Sequence, residues 1–394
     1  MKIAPTHGET VTEACTNDDK QVMQTIVYDL DGDNDVKRSL RLRPDPGLID
    51  RVLVRVHAVG LNPNDQKSVI GDKLPKDWVW GRARAKSYLQ NKIVGFDFAG
   101  VVVEDHNSVF KNGDKVFGVM PLFEGSLAEY ISVPLDQLCF VPKNFSFAQA
   151  AALPLAGLTA LQSLSPCIRS PSHPTSVLII GASGGTGHIA LQVARNLGAR
   201  HITAVCSASN KTFVESFGAT HFVDYTLDDE DPDTLVQNLQ EAPGCPFHVV
   251  LDCVTSNDPR DCVLDYPSLI RQTGDSNSKK QKVPLVTSDH QYVRLGGPST
   301  DWILAGAEHI CGLARFWPDK GEKLFWVHIS NCAHTLSQLK EWAEDHQLKV
   351  CVSRKVSFTA KAVQLAFDKL VQRHVRGKIV VEVIPSEDAT DDEW

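Results

Sequence analysis

Residues 175–199, TSVLIIGASGGTGHIALQVARNLGA, constrain this chain more tightly than any other stretch. An apolar run that reads as a strand reaches Gly181, a turn of small residues follows, and an amphipathic run that reads as a helix ends at Gly198. Ala182, Gly184 and Gly187 fill the three positions of a Gly-x-Gly-x-x-Gly turn, with alanine at the first. The demand behind that pattern is steric. The chain must reverse tightly, its backbone must approach a pyrophosphate with no Cβ in the way, and the helix must start with N–H groups open to the anion. A glycine triplet alone carries little weight, but one that follows a strand and opens a helix in a repeating β-α pattern marks a dinucleotide site. The repeat is present. HITAVCS, THFVDYT, PFHVVLDCV (246–254) and QYVRLGG (291–297) read as strands, with KTFVESFGA as a helix among them. Strands alternating with helices imply an α/β fold with a parallel, doubly wound sheet.

The end of the second strand bears on which dinucleotide is held. A site for NAD places Asp or Glu there, for the ribose 2′-hydroxyl. This chain reads Val205-Cys206-Ser207, without an acid, and Lys211 follows four residues after Ser207. A hydroxyl and a cation suit a 2′-phosphate, so NADPH is the expected cofactor. The other reading of Lys211 is an ordinary lysine on a helix surface.

The first third of the chain has β character. RVLVRVHAVGL (51–61) alternates apolar and polar residues, KIVGFDFAGVVVE (92–104) is β-branched, and DKVFGVM and SLAEYISVP follow. Glycines and prolines separate these runs, as in an antiparallel barrel or sandwich. From 147, FAQAAALPLAGLTALQSLSP reads as a helix that Pro154 should bend. CAHTLSQLKEWAEDH (332–346) reads as another helix, and VCVSRKVSF and GKIVVEVI return to β structure. A chain of 394 residues has room for two or three cores. The expected division is 1–158 completed by 351–394, and 159–350. After Val254 the polar run GDSNSKKQK reads as a long surface loop beyond a short helix near YPSLIRQ, and EDATDDEW as a disordered acidic tail.

Composition narrows the function classes. No apolar run approaches the ~20 residues that span a bilayer. The first twenty residues lack both a signal-peptide core and the basic amphipathic character of a transit peptide, so a cytoplasmic location is expected. A net charge of -8 with no basic stripe argues against nucleic acid. The ten cysteines form no Cys-x-x-Cys pair, which fits free thiols in a reducing compartment better than zinc ribbons or disulfides.

The order NPND, GFDFAG, GDKVFG, an Ala-Leu-Pro helix with GLTA, GASGGTG and a closing RGKIVVEV resembles the medium-chain dehydrogenase/reductase superfamily over residues 22–385. Within it the chain is similar to the zinc-free quinone oxidoreductases of the ζ-crystallin type. HITAVCSAS, FVDYT and HVRGKIVVEV bring it nearest to the mitochondrial reticulon-interacting quinone-reductase group, and trans-acting enoyl reductases of fungal polyketide pathways are similar too. The resemblance implies a GroES-like, mainly β catalytic domain beside a Rossmann cofactor domain. It places Asn62 and Asp65 beside the nicotinamide cleft, with Thr159 at a helix start close to the ring. It assigns Ser183, Gly184, Gly185, Thr186 and Gly187 to the cofactor turn, and Ser207, Lys211 and Tyr225 to the 2′-phosphate. Leu295 and Gly296 would border the cofactor, and Arg376 and Lys378 its nicotinamide half.

A catalytic zinc takes three protein ligands and keeps one open position. Where zinc-binding members carry those ligands, this chain reads Leu61-Asn62-Pro63-Asn64-Asp65, then Phe96, then Leu155-Ala156, and no cysteine lies between 16 and 138 for a structural zinc loop. No metal is expected. The acceptor must then take hydride readily, as a quinone or an α,β-unsaturated carbonyl does. Asn62 reads either as an amide donor to a carbonyl that becomes enolate-like or as a turn cap before Pro63. Asp97 reads as a buried carboxylate that accepts backbone N–H bonds. Trp78 and Trp80 either wall an aromatic substrate pocket or anchor a surface loop. The expected function is a metal-independent NADPH reductase of small quinones or enones. An enoyl reductase that serves a polyketide or fatty-acid pathway is the alternative, with Arg82, Arg84 and Lys86 as candidates for docking its carrier protein. A non-enzymatic NADPH-binding scaffold is the third reading. The resemblance and the apolar residues 302–317 also suggest a homodimer joined through the cofactor-domain sheets.

Overall fold

The structure, a computed structural model, describes residues 22–29, 36–45, 50–67, 89–104, 109–122, 124–168, 175–226, 232–254, 284–296, 322–325 and 327–385. The expectations for Trp78, Trp80, Arg82, Arg84 and Lys86, for the run after Val254, for residues 302–317 and for EDATDDEW fall outside these residues. The chain divides into two compact units. Met1–Leu155, Ile329–Glu344 and Val350–Trp394 form the first, and Ala156–His328 with Asp345–Lys349 form the second.

In chain order the first strands are β1 (Val22–Tyr28), β2 (Val36–Leu42), β3 (Arg51–Gly60), β4 (Asp97–Glu104), β5 (Lys115–Val119), β6 (Tyr130–Pro134) and β7 (Leu138–Phe140). Then come β8 (Ser176–Ile180), β9 (His201–Cys206), β10 (His221–Asp224), β11 (Phe247–Asp252), β12 (Val286–Arg294) and β13 (Glu322–Leu324). β14 (Val352–Ser357) and β15 (Lys378–Glu382) follow.

In the first unit β1 and β2 pair antiparallel, and a seven-stranded sheet runs β14-β15-β3-β4-β5-β7, with β6 also on β3. The antiparallel expectation for the first third holds, since β3 pairs antiparallel with β4 and β6, β4 with β5 and β5 with β7, and the C-terminal strands add one parallel pair, β14 with β15. Parallel neighbours require a crossover, and the helix Ala360–Val371 supplies it. Thr359 caps that helix by accepting from Ala362 N, and Val363, Ala366 and Phe367 bury its inner face. They join Val54, Val56, Phe98 and Leu138 in one core. Residues 147–164 depart from expectation. A Ser146/Gln149 capping box starts a short helix, Phe147–Ala151, and a second helix runs Pro154–Leu164. Proline lacks the N–H that a helix interior needs but suits a first position, so Pro154 opens a helix instead of bending one.

In the second unit the sheet order is β10-β9-β8-β11-β12-β13, and every pairing is parallel. That is the doubly wound dinucleotide-binding order. β8 is buried along its whole length between β9 and β11, which explains its uninterrupted apolar sequence. Strand order reverses between β8 and β11, so their carboxyl ends flank the crevice where such sheets bind ligands. No helix among the described residues is long and apolar enough to cross a membrane.

Candidate functional site

The glycine turn leaves β8 at Gly181, whose φ of 74° lies in the left-handed region that glycine reaches without strain. Gly181 N and Ala182 N both donate to Val205 O, at 3.0 and 3.1 Å, and tie the turn to β9. A Cβ on Gly187 would stand 2.2 Å from Gly181 O, so the turn folds too closely on itself for any side chain there. A Cβ on Gly184 would meet the same oxygen at 3.3 Å, a far milder contact. The helix Gly187–Asn196 follows, and the side chain of its N-cap, Thr186, makes no capping bond. Its first-turn N–H groups are therefore not claimed by that hydroxyl, which suits a pyrophosphate. Ser183 and Gly185 are half-buried beside it. His188 escaped the sequence reading. It is fully buried, and its Nδ1 lies 2.8 Å from Gly184 O, so the ring braces the turn from within. The available signal was a histidine on an apolar helix face directly after the last glycine.

At the end of β9, Ser207 Oγ accepts from Asn210 Nδ2 at 2.9 Å and lies 3.2 Å from Ser209 Oγ. Lys211 opens the helix Lys211–Ser216 and is exposed. Burial, and then the Lys211 charge, hold His221 below the usual histidine range, so the cation stands near this strand end. The end of β9 itself offers hydroxyls and an ammonium, which fit a phosphate, while Asp224 lies opposite Cys206 on β10 with its Oδ1 held by Thr226. Tyr225, just after β10, is half-buried and packs on the unit's core. Leu295 and Gly296 follow β12, where Leu295 N donates to Asp252 O at 2.9 Å. Thr159 lies in the middle of the helix Pro154–Leu164, not at its start, because Pro154 begins the helix five residues earlier.

The first unit gathers a second set of residues. Lys378 Nζ donates to Asn62 Oδ1 at 2.5 Å and to Asp97 Oδ2 at 3.3 Å. Asn62 Nδ2 donates to Asp97 Oδ2 at 2.9 Å and to Gly60 O at 3.3 Å. Asp97 Oδ1 accepts from Leu155 N at 2.7 Å, as the sequence reading of a backbone-binding carboxylate anticipated. Asp65 Oδ2 accepts from Asn62 N at 2.6 Å, and Asp65 Oδ1 is buried with no hydrogen-bond partner. Lys378 is 3% exposed, and Asp65 and Asp97 are not exposed at all. Burial pushes the Asp65 carboxyl up to about 8, against the pull of Asn62 N–H. Burial also raises Asp97, opposed by the Lys378 ammonium, the Asn62 amide and Leu155 N–H. The turn NPND and the strands β4 and β15 thus meet in one buried cluster. Lys378, expected at the cofactor, has its ammonium engaged on Asn62 and Asp97. Arg376 is exposed two residues before it.

Two family models match the chain, an alcohol dehydrogenase GroES-like domain over residues 49–143 and a zinc-binding dehydrogenase over residues 185–275. The chloroplastic quinone-oxidoreductase QR1 of Triphysaria versicolor is 30% identical, over 86% of this chain and 91% of its own. The chain belongs to the quinone-reductase-like group of the medium-chain dehydrogenase/reductase superfamily. The human mitochondrial NAD(P)H oxidoreductase RTN4IP1 is 27% identical over 92% of this chain and 90% of its own. The 2-methylene-furan-3-one reductase of Solanum lycopersicum is 29% identical over 85% and 72% respectively. The quinone oxidoreductase of Coxiella burnetii shares the fold with a TM-score of 0.69, covering 92% of this chain and all of that one at 24% identity.

For this medium-chain dehydrogenase/reductase, the donors present do not fit the zinc named in the second model's description. Among the described residues no three His, Cys, Asp or Glu side chains gather where they could hold a metal ion. Phe96 offers no ligand atom, and Asn62 and Asp97 are already engaged by the Lys378 ammonium. A nicotinamide dinucleotide does fit, on the glycine turn of the second unit.

Proposed function

We propose that this chain is an NADPH-dependent reductase that passes hydride to a quinone, or to the C=C bond of an α,β-unsaturated carbonyl, without a metal. The observation that carries this reading is the make-up of the buried cluster. Asn62, Asp65, Asp97 and Lys378 supply an amide, two carboxyls and an ammonium at the positions where the resemblance puts metal ligands and their surroundings. Relatives named 2-methylene-furan-3-one reductase and quinone-oxidoreductase support acceptors of these two classes.

In this reading the second unit is the cofactor domain and the first the catalytic one, which moves Ile329–Glu344 out of the expected cofactor segment 159–350. Bound NADPH supplies the hydride. Residues Ser183 to Gly187 hold its pyrophosphate on backbone N–H groups, and Ser207, Lys211 and Tyr225 hold its 2′-phosphate. Leu295, Gly296 and Arg376 border it. Asn62 Nδ2 is the first donor to the substrate carbonyl, because its bond to Gly60 O, at 3.3 Å, is the weaker of its two and the easier to exchange. Thr159 supplies a hydroxyl. Lys378 and Asp97 fix the orientation of Asn62 by holding its oxygen and its nitrogen. Neutral donors of this kind stabilise an enolate, whose charge is spread, better than the localised charge of an alkoxide. The α-carbon takes its proton from water or from the Thr159 hydroxyl.

The test is NADPH oxidation over a panel of quinones, 2-alkenals, enones, enoyl thioesters and saturated carbonyls, with NADH in parallel. Turnover should appear with the conjugated acceptors and favour NADPH. Turnover confined to saturated aldehydes or ketones, or absent throughout, contradicts the proposal.

A further inference from the structure

His188 is fully buried one residue past the last glycine of the cofactor turn, and its ring meets two structures at once. On one side its Nδ1 lies 2.8 Å from Gly184 O. A carbonyl oxygen only accepts, so Nδ1 carries the proton and donates it to this bond. Gly184 O takes a second bond from His188 N at 3.1 Å. In a trans peptide the C=O and the N–H point opposite ways, so holding Gly184 O toward His188 turns the Gly185 N–H away from it, out of the turn.

On the other side the ring packs edge-on with Phe217, with centroids 5.2 Å apart and planes at 87°, and lies 6.2 Å from Phe213. The two phenyl rings pack on each other at 4.7 Å. Phe213 belongs to the helix Lys211–Ser216, and Phe217 is its C-cap residue. Aromatic contacts of this kind are directional, so they fix the helix against the imidazole. Phe217 has a further anchor. Lys349 Nζ stands 4.7 Å from its ring centre, and Gln192, one turn after His188, holds Lys349 N and Lys349 O, both at 2.9 Å. We propose that His188 is a positioning residue for the cofactor. Its imidazole sets the spacing between the turn that takes the pyrophosphate and the helix that begins at Lys211. The proposal rests on the cofactor placement given above and not on which acceptor is reduced. NADH loads the turn alone, whereas NADPH must meet the turn and Lys211 together, so a loosened spacing penalises NADPH more.

Substitution separates the two contacts. Asparagine sets an amide N–H where the imidazole Nδ1 stands, so His188→Asn keeps the bond to Gly184 O and removes the ring from Phe213 and Phe217. Phenylalanine keeps a ring and has no donor, so His188→Phe does the reverse. Both full-length variants are titrated with NADPH and with NADH in the absence of any acceptor, so failure of the reductase reading and failure of this one are separate results. His188→Asn should raise the Kd for NADPH several-fold more than the Kd for NADH. His188→Phe should raise both by similar factors, since the pyrophosphate is common to the two cofactors. In a Lys211→Ala background, His188→Asn should no longer distinguish them. Equal factors for the two cofactors in His188→Asn, or the same selective loss without Lys211, would overturn the proposal. An unaltered chain that binds neither dinucleotide would overturn it together with the cofactor placement. ¹⁵N NMR of the unliganded chain should show a protonated Nδ1 at His188, assigned by its loss in His188→Asn, and a bare Nδ1 would overturn the proposal whatever the cofactor.

Discussion

Asp65 and Asp97 are fully buried carboxyls of one cluster, yet their partners set them apart. Asp97 faces an ammonium and two N–H donors, which oppose the rise that burial imposes on its carboxyl. Asp65 has one N–H donor and an orphan oxygen, and it keeps its proton up to about pH 8. The unfolded chain releases that proton near 3.8, so between the two values the native state binds one proton more. Its contribution therefore falls as pH rises, by up to about 1.4 kcal/mol per pH unit, and the loss stops above pH 8. Urea unfolding at several pH values should show that Asp65→Asn removes this slope. An unchanged slope would mean that Asp65 is ionised in the folded chain. The Lys378–Asp97 pair calls for a different measurement. Lys378→Met strands a buried carboxylate and should cost about 3–5 kcal/mol. The Lys378→Met/Asp97→Asn double variant should cost clearly less than the two single losses added together, and strict additivity would deny the pair its coupling.

At the scale of the element, the turn between β8 and its helix gives the sharpest contrast. Gly187→Ala sets a Cβ against the turn's own backbone oxygen, whereas Gly184→Ala asks for a shift of a few tenths of an ångström. Isothermal titration should find Gly187→Ala the more damaging to NADPH binding, and the reverse order would contradict the geometry. Beyond β9, loss of a charge-assisted phosphate contact costs on the order of 1.5–3 kcal/mol. Lys211→Ala should therefore weaken NADPH by roughly ten- to a hundred-fold and leave NADH nearly unchanged, and equal losses for both would remove Lys211 from the phosphate site. This turn was legible in the sequence because its requirements are local: spacing, small residues and the flanking periodicities. The β-α alternation was legible for the same reason. The parallel β14–β15 pair was not, since nothing in either strand's own pattern names its neighbour. Pro154 misled because one residue can bend a helix or begin one, and the preceding helix ends at its C-cap Ala152, which leaves Pro154 to open the next. The pairing of Lys378 with Asp97 joins residues 281 apart in the chain, and no spacing rule reaches that far.

For the whole molecule, a single chain carries a glycine-turn cradle in one unit and a buried cluster of amide, carboxyl and ammonium groups in the other. The proposed chemistry follows from what those residues can and cannot stabilise. Amide and hydroxyl donors hold a delocalised enolate and are poor at holding an alkoxide, so hydride should go to carbon and not to the carbonyl. The most direct measurement is single-turnover reduction of an enone with C4-deuterated NADPH after exhaustive chelation, read by NMR. The account predicts deuterium on the β-carbon of a saturated ketone at an undiminished rate. Deuterium on the carbinol carbon, or activity that returns only with added zinc, would contradict it.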